Sequence, residues 1–137
     1  MKQEDKNKAV IRLKDAEEFT KSAEENLERE RYKASLDHSV DAVIAANDAF
    51  TIFFMEQVAS TDHKEAISLH KEAGKKISEN KASEMAVLLE ERHRKSYRCV
   101  PVTKSLAEID LKKAVKFLDW VKSKIVWNLQ NSKEKNQ

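Results

Sequence analysis

Residues 32–58, with the sequence YKASLDHSVDAVIAANDAFTIFFMEQV, decide the fold of this chain. Large apolar side chains recur in this segment at steps of three and four, which places them on one side of an α-helix. A second stripe beside them consists of small residues, namely Ser35, Ala42, Ala46 and Ala49. Small side chains let a neighbouring helix approach closely. A helix with two packed faces is expected at the centre of a helical bundle.

The remaining sequence predicts four more helices around this central one. They are expected over about 5–29, from 60–62 onward, over about 81–98, and from a capping box at Ser105-Leu-Ala-Glu108 onward. The chain has one Gly and one Pro, too few for the many tight turns of a sheet protein. We therefore predict an all-α fold: an up-down helical bundle of four main antiparallel helices plus one shorter helix. Residues 1–128 are expected to form this single domain, and residues 129–137 a polar C-terminal tail.

Charge and composition exclude several classes of protein. Lys and Arg outnumber Asp and Glu by 26 to 24, so the net charge of +2 is too balanced to indicate a nucleic-acid-binding protein by bulk charge. The longest apolar stretch, Ala42 to Val58, is interrupted by Asn47, Asp48 and Glu56, which excludes a membrane span there. The N-terminal residues have no apolar signal segment, and Cys99 has no partner for a disulfide. We expect a cytoplasmic protein with no membrane association and a buried Cys99.

Residues 88–98, LLEERHRKSYR, hold the densest group of reactive side chains. Helical phase divides them: Arg92 and Ser96 continue the apolar stripe of Leu88, and Tyr97 borders it. The others form an outer face expected to be solvated: Glu90, Arg94, Lys95 and Arg98.

An inward guanidinium needs a partner, because a buried unpaired charge is costly. The acidic face of the central helix can supply one, and its members are Asp37, Asp41 and Asp48. Arg92 is therefore either half of a structural ion pair or the centre of a binding site.

The chain resembles the HEPN-domain family. The resemblance rests on four pieces: residues 15–50 (DAEEFTKSAEENLERERYKASLDHSVDAVIAANDAF), 60–70 (STDHKEAISLH), 88–97 (LLEERHRKSY) and 111–121 (LKKAVKFLDWV). Arg92 and Tyr97 match an R…Y pattern of small prokaryotic members, and His63 matches a histidine often found after the second helix. The order and spacing of these pieces carry the resemblance, since no single motif is highly specific.

The resemblance implies two alternative functions. Many members are metal-independent ribonucleases with an R-x(4–6)-H motif and a dimeric site, but the fourth to sixth residues after Arg92 are Ser96, Tyr97 and Arg98. His93 adjoins Arg92 and points about 100° away from it, so it does not replace the missing histidine. Other members partner a minimal nucleotidyltransferase in toxin–antitoxin-type pairs. The sequence favours this second role: a non-catalytic module that binds nucleotide or RNA near Arg92. The candidate ligand-binding residues are Arg92, Ser96, Tyr97, Asp37, Asp41 and His63.

No cofactor or metal site is predicted. His63 and His70 share a helix face but stand about 10.5 Å apart along its axis, too far to bind one metal ion. Glu90 and His93 make one half of a di-iron motif whose second half is missing from the sequence.

The last helix carries Ile109, Trp120 and Trp127 on one line opposite its inward stripe. Aromatic side chains are enriched in protein interfaces, which favours a homodimer through these three residues. Two other interpretations remain open. Neighbouring lysines would also suit a nucleic-acid surface, and Trp120 alone would also suit the edge of the bundle.

Overall fold

The computed structural model describes residues 2–59 and 62–135, and for Tyr97 and residues 132–135 it describes the backbone alone. The described residues form five α-helices: α1 (Gln3–Glu28), α2 (Tyr32–Met55), α3 (His63–Lys75), α4 (Ala82–Tyr97) and α5 (Lys104–Lys135). They contain no strand, which confirms the all-α fold class. None of the helices, over the residues described, is both long and apolar enough to cross a membrane.

Helices α1 and α2 pack along each other in antiparallel directions. Arg12 of α1 bonds Asp48 near the end of α2, and Ser35 near the start of α2 bonds the carbonyl of Ala23. The small-residue stripe of α2 is fully buried, as expected from its sequence. The close approach of two helix backbones is what these small side chains permit.

Helices α3 and α4 contact successive lengths of α2. His70 of α3 reaches Asn47 in the C-terminal half of α2, whereas Arg92 of α4 reaches Asp41 further toward its start. The turn between α3 and α4 closes against Gly74, where a Cβ atom would stand 2.6 Å from the carbonyl oxygen of Glu79. This position requires glycine, because the returning backbone takes the space of any side chain.

Helix ends follow local chemistry with one difference from expectation. Asp62 caps α3 by accepting from the backbone N–H groups of Lys64 and Glu65 at 2.8 and 3.1 Å. Helix α5 begins at Lys104 with Thr103 as its cap, since the Thr103 hydroxyl accepts from the N–H of Leu106 at 3.2 Å. The predicted capping box at Ser105 is therefore wrong by two residues.

The two ends of the apolar pattern also differ from prediction. Helix α2 stops at Met55, because Glu56 takes a left-handed backbone conformation (φ 56°), and Val58 beyond it is exposed. At the other end of the chain, α5 continues through Lys135, so the segment expected to be a tail extends this helix.

The core runs between α2 and α5 and is closed by α1, α3 and α4. Leu36, Val40 and Phe50 of α2 meet Phe117 and Val121 of α5 within one continuous apolar cluster. The cluster includes Leu88 and Leu89 of α4. Beyond these two leucines the later turns of α4 contact their neighbours through polar side chains, and the candidate site lies there.

Candidate functional site

Arg92 and Asp41 form the centre of the candidate site. The Arg92 Nη1 atom donates to Asp41 Oδ1 at 2.7 Å and to the backbone carbonyl of Asp37 at 3.4 Å. Their side chains are 25% and 33% exposed, so the pair lies at the surface of the groove between α2 and α4. The acidic face of α2 thus meets Arg92 through Asp41.

Lys33 joins the two helices beside this pair. Its ammonium group donates to Asp37 Oδ1 and to the Ser96 hydroxyl, each at 2.7 Å. Lys33 lies one turn before Asp37 on α2, while Ser96 lies one turn after Arg92 on α4, so the contact follows from the antiparallel packing of the two helices. Sequence reasoning missed Lys33, although its spacing of four residues before Asp37 is the signal for such a pair.

Four of the six predicted ligand-binding residues meet in this cluster: Arg92, Ser96, Asp37 and Asp41. The side chain of Tyr97 lies outside the described residues. His63 is the first residue of α3 and is exposed, two turns before the His70 that packs beside Asn47. The structure does not bring His63 to Arg92, because α3 adjoins the other half of α2.

The cluster can bind an anion more readily than it can transfer a proton. Its described side chains provide a guanidinium, an ammonium, a hydroxyl and two carboxylates, and they include no imidazole. Arginine has five N–H donors, and the recorded bonds of Arg92 to described groups all use Nη1. Its Nε and Nη2 donors make no bond to a described group.

Asp48 belongs to a different pair from the one that the sequence predicts. Its Oδ2 atom accepts from Arg12 Nη2 at 2.8 Å and from Nε at 3.2 Å, and Arg12 also holds Asp15. Burial raises the pKa of Asp48, against the opposite effect of Arg12. Asp48, two turns beyond Asp41 on the same face of α2, therefore meets α1, whereas Asp41 meets α4.

A second group of polar residues lies on the side of α4 that faces α5. The sequence predictions for two residues there, Lys95 and Cys99, are wrong. Lys95 was expected in solvent but is buried, and its ammonium donates to the Pro101 carbonyl at 3.3 Å. Cys99 was expected in the core but is exposed, because the chain leaves α4 there in a left-handed conformation (φ 53°). Lys95 lies seven residues after the buried Leu88, which is the signal that sequence reasoning missed.

Asp110 of α5 is the second buried charged residue on this side of α4. It is 2% exposed, and its Oδ2 atom has no hydrogen-bond partner among the described residues. Burial raises the pKa of Asp110, and the negative charge of Glu91 adds to the effect. The sequence marks it as inward, since it stands three residues after Ala107 and four before Ala114.

His70 forms a fully buried polar contact with Asn47 of α2. The backbone N–H of Lys81 donates to Nε2 at 2.9 Å, so Nδ1 carries the proton and donates to Asn47 Oδ1 at 2.8 Å. Burial lowers the pKa of His70 to about 4. The described residues contain no group of three or more His, Cys, Asp or Glu side chains placed to hold a metal ion.

The sequence predicts that Ile109, Trp120 and Trp127 form an outward line on α5, and this prediction is wrong for Trp120. Trp120 turns inward to contact the rings of Phe50 and His70, and its indole N–H donates to Glu79 Oε1 at 2.7 Å. Ile109 and Trp127 are exposed as predicted. A long ring at the margin of the inward stripe reaches the gap between α3 and α5, which helical phase alone does not reveal. The homodimer interface remains a prediction.

The described residues form a small all-α fold with a partly exposed arginine, Arg92, on its fourth helix. Comparison with protein families identifies its family: the HEPN domain matches residues 9–124, and the chain belongs to this family. The match includes all of α2, α3 and α4 and confirms the resemblance inferred from the four sequence pieces. Comparison with curated proteins gives no significant match.

Proposed function

We propose that this HEPN-domain protein is a non-catalytic binding module that takes a phosphate-bearing ligand, a nucleotide or RNA, at Arg92. The observation that carries the proposal is the partly exposed guanidinium, which Asp41 fixes through Nη1 and whose Nε and Nη2 atoms make no bond to a described group. The planar fork of arginine matches two oxygens of a phosphate group. Lys33 adds a second cation beside it.

The absence of a histidine four to six residues after Arg92 supports binding without catalysis. General acid–base chemistry near neutral pH requires a group with a pKa near 7, and Ser96, Tyr97 and Arg98 do not provide one. The competing function is that of a diverged, metal-independent HEPN ribonuclease toxin with a dimeric site. Arg92 itself favours that alternative, since it lies on the helix where the ribonucleases carry their arginine.

The same proposal includes a setting and a partner. We place the protein in the cytoplasm, as one half of a toxin–antitoxin-type pair whose other half is a minimal nucleotidyltransferase. A homodimer is compatible with this role. We also propose that the helices complete an up-down bundle, supported by the antiparallel contacts of α2 with α1 and with α4.

Binding and cleavage are tested with three proteins: the natural sequence, Arg92→Ala and Arg94→Ala. Arg94 is the matched control, because it is exposed and pairs only with Glu91 of its own helix among described residues. Calorimetric titration with adenosine and guanosine nucleotides and with a short oligouridylate should show binding that Arg92→Ala abolishes and Arg94→Ala retains.

Incubation of the same proteins with total RNA separates the alternatives. Cleavage that Arg92→Ala abolishes would establish the ribonuclease and overturn the proposal. No binding by any protein, with a lower melting temperature for Arg92→Ala, would reduce Arg92 to a structural ion pair. Affinity purification from the native host, followed by mass spectrometry, tests for the nucleotidyltransferase.

A further inference from the structure

The outer face of α5 differs in charge from the sides of the same helix. Six lysines of α5 have described side chains, and the three on its sides each pair with a carboxylate: Lys104 with Glu108, Lys122 with Glu17, and Lys124 with Glu79. The remaining three, Lys112, Lys113 and Lys116, are exposed; Lys112 and Lys116 lie on the outer face, and Lys113 lies at its edge, where its charge opposes the rise in pKa that burial causes at Asp110.

These outer lysines, which we call the lysine stripe, stand without ion pairs to described carboxylates. Lys112 and Lys116 are four residues apart and Lys113 and Lys116 three, spacings at which like charges destabilise a helix. Glu108 stands four residues before Lys112 and Asp119 three residues after Lys116, but neither carboxylate forms an ion pair with these lysines, and Glu108 pairs with Lys104 instead. The arrangement concentrates positive charge where a ligand can reach it.

Trp127 extends this surface with an aromatic ring. It is 61% exposed and lies five helical turns after Ile109 on the same line, about 16 Å along the axis from Lys116. Trp120 does not contribute, because its ring is packed on Phe50. The face therefore offers cations at one end and a single free indole at the other, with little apolar surface between them.

The charge of this face argues against a second copy as its occupant. In a two-fold contact the same patch meets itself, so the lysine stripe of one protomer would oppose that of the other. Like charges in such a contact weaken association. The apolar side chains that remain, Ile109 and Trp127 with Val126 at its edge, are too few to form the core of a stable dimer interface.

We propose that the outer face of α5 binds single-stranded nucleic acid, with Lys112, Lys113 and Lys116 on successive phosphates and Trp127 stacked on a base. Single strands combine a phosphate backbone with exposed base faces, and lysine beside an accessible aromatic ring is the chemistry that recognises both. The surface is separate from the groove between α2 and α4. The inference stands whether or not Arg92 binds a ligand.

The direct test is fluorescence anisotropy with a labelled oligouridylate of about 12 nucleotides, a length within the range that single-strand surfaces cover. We expect a dissociation constant between about 10⁻⁴ and 10⁻⁶ M at physiological salt, and a plot of log affinity against log salt with a slope of about −2 for three phosphates. The triple variant Lys112→Gln, Lys113→Gln, Lys116→Gln should lose most of both the affinity and the slope.

The matched control is Lys14→Gln, Lys21→Gln, Lys71→Gln, which removes equal charge from exposed positions on α1 and α3. The proposal fails if the two triple variants bind equally, or if the α5 variant instead dissociates an existing dimer in sedimentation. Loss of binding confined to Arg92→Ala would also overturn it, while leaving the function proposed for Arg92 intact.

Trp127 gives an independent readout. Saturating oligouridylate should quench tryptophan emission of the natural protein, and Trp127→Phe should remove that quenching because Trp120 is packed in the fold. Quenching that persists unchanged in Trp127→Phe would exclude stacking on this residue. Circular dichroism melting of each variant verifies that it is folded.

Discussion

Two polar side chains reach α2 from the helices that follow it: His70 from α3 contacts Asn47, and Arg92 from α4 contacts Asp41. The two contacts have similar lengths, 2.8 and 2.7 Å, and each joins α2 to one later helix. His70 is fully buried, and both of its ring nitrogens are hydrogen-bonded. Arg92 is a quarter exposed, and its Nε and Nη2 donors make no bond to a described group. Exposure, more than the contact itself, makes His70 structural and Arg92 a candidate for binding.

The difference follows from where the apolar core ends. Phe50, Phe117 and Trp120 surround the His70 ring, which excludes water and strengthens its hydrogen bonds. Around Arg92 the neighbours are Lys33, Asp37 and Ser96, which are themselves solvated. Helix α2 thus makes a contact shielded from water in its C-terminal half and a water-exposed contact closer to its start.

The largest expected effect comes from His70→Ala. The change removes a buried ring and leaves both Asn47 Oδ1 and the Lys81 N–H without a partner. We expect the free energy of unfolding to fall by about 3–5 kcal/mol, measured by urea denaturation. His63→Ala is the control, because His63 is an exposed histidine of the same helix. Equal small effects of both variants would contradict the structural role of His70.

The second prediction concerns pH. The pKa of His70 is about 4 in the folded protein, against an ordinary value near 6.5 in the unfolded chain. The unfolded state therefore binds the proton first, so this contribution to stability is complete above pH 6.5 and is lost as the pH falls toward 4. Its size is about 3 kcal/mol.

Denaturation curves at several pH values between 7 and 4 measure this loss. His70→Gln should flatten the pH dependence in that window, since glutamine does not titrate. An unchanged pH profile in His70→Gln would assign the effect to other groups.

The turn that separates the two contacts gives the third prediction. Gly74→Ala places a Cβ atom 2.6 Å from the Glu79 carbonyl, and this backbone atom has little room to move. Alanine gains about 1 kcal/mol of helix propensity over glycine, but overpacking costs about 1–3 kcal/mol. We expect a net loss of stability in thermal melting. Ser68→Ala, on the exposed face of α3, is the control, and a more stable Gly74→Ala protein would contradict the crowding.

The smallest effect on stability is expected at Arg92. A pair in which a quarter to a third of each side chain is exposed contributes at most about 1 kcal/mol, because water screens it. Arg92→Ala should therefore melt within a few degrees of the natural protein. A loss of stability as large as that of His70→Ala would show that the Arg92–Asp41 pair stabilises the fold as much as the buried His70–Asn47 contact does.

The sequence predicted the pairing of Arg92 with the acidic face of α2 better than it predicted the residues around that pair. Helical phase separated Arg92 from Arg94 and Arg98 and identified the acidic face of α2, because both inferences depend only on the 3.6-residue period. It did not separate Asp41 from Asp48 as a partner, since that choice depends on how α1 and α4 cross α2. Helical phase also failed to predict the burial of Lys95, whose ammonium group donates to the Pro101 carbonyl just beyond the end of α4.

By itself, the sequence determined the five helices, the buried faces of α1 and α2, and membership of the HEPN family, all of which follow from local periodicity and from the order of short motifs. The tertiary structure decided which polar groups meet and which aromatic rings are covered. Trp120 shows why: its helical phase is nearly that of the exposed Trp127, and only the presence of α3 beside it turns its ring into the core. Contacts between helices depend on crossing angles and side-chain reach, which no single helix encodes.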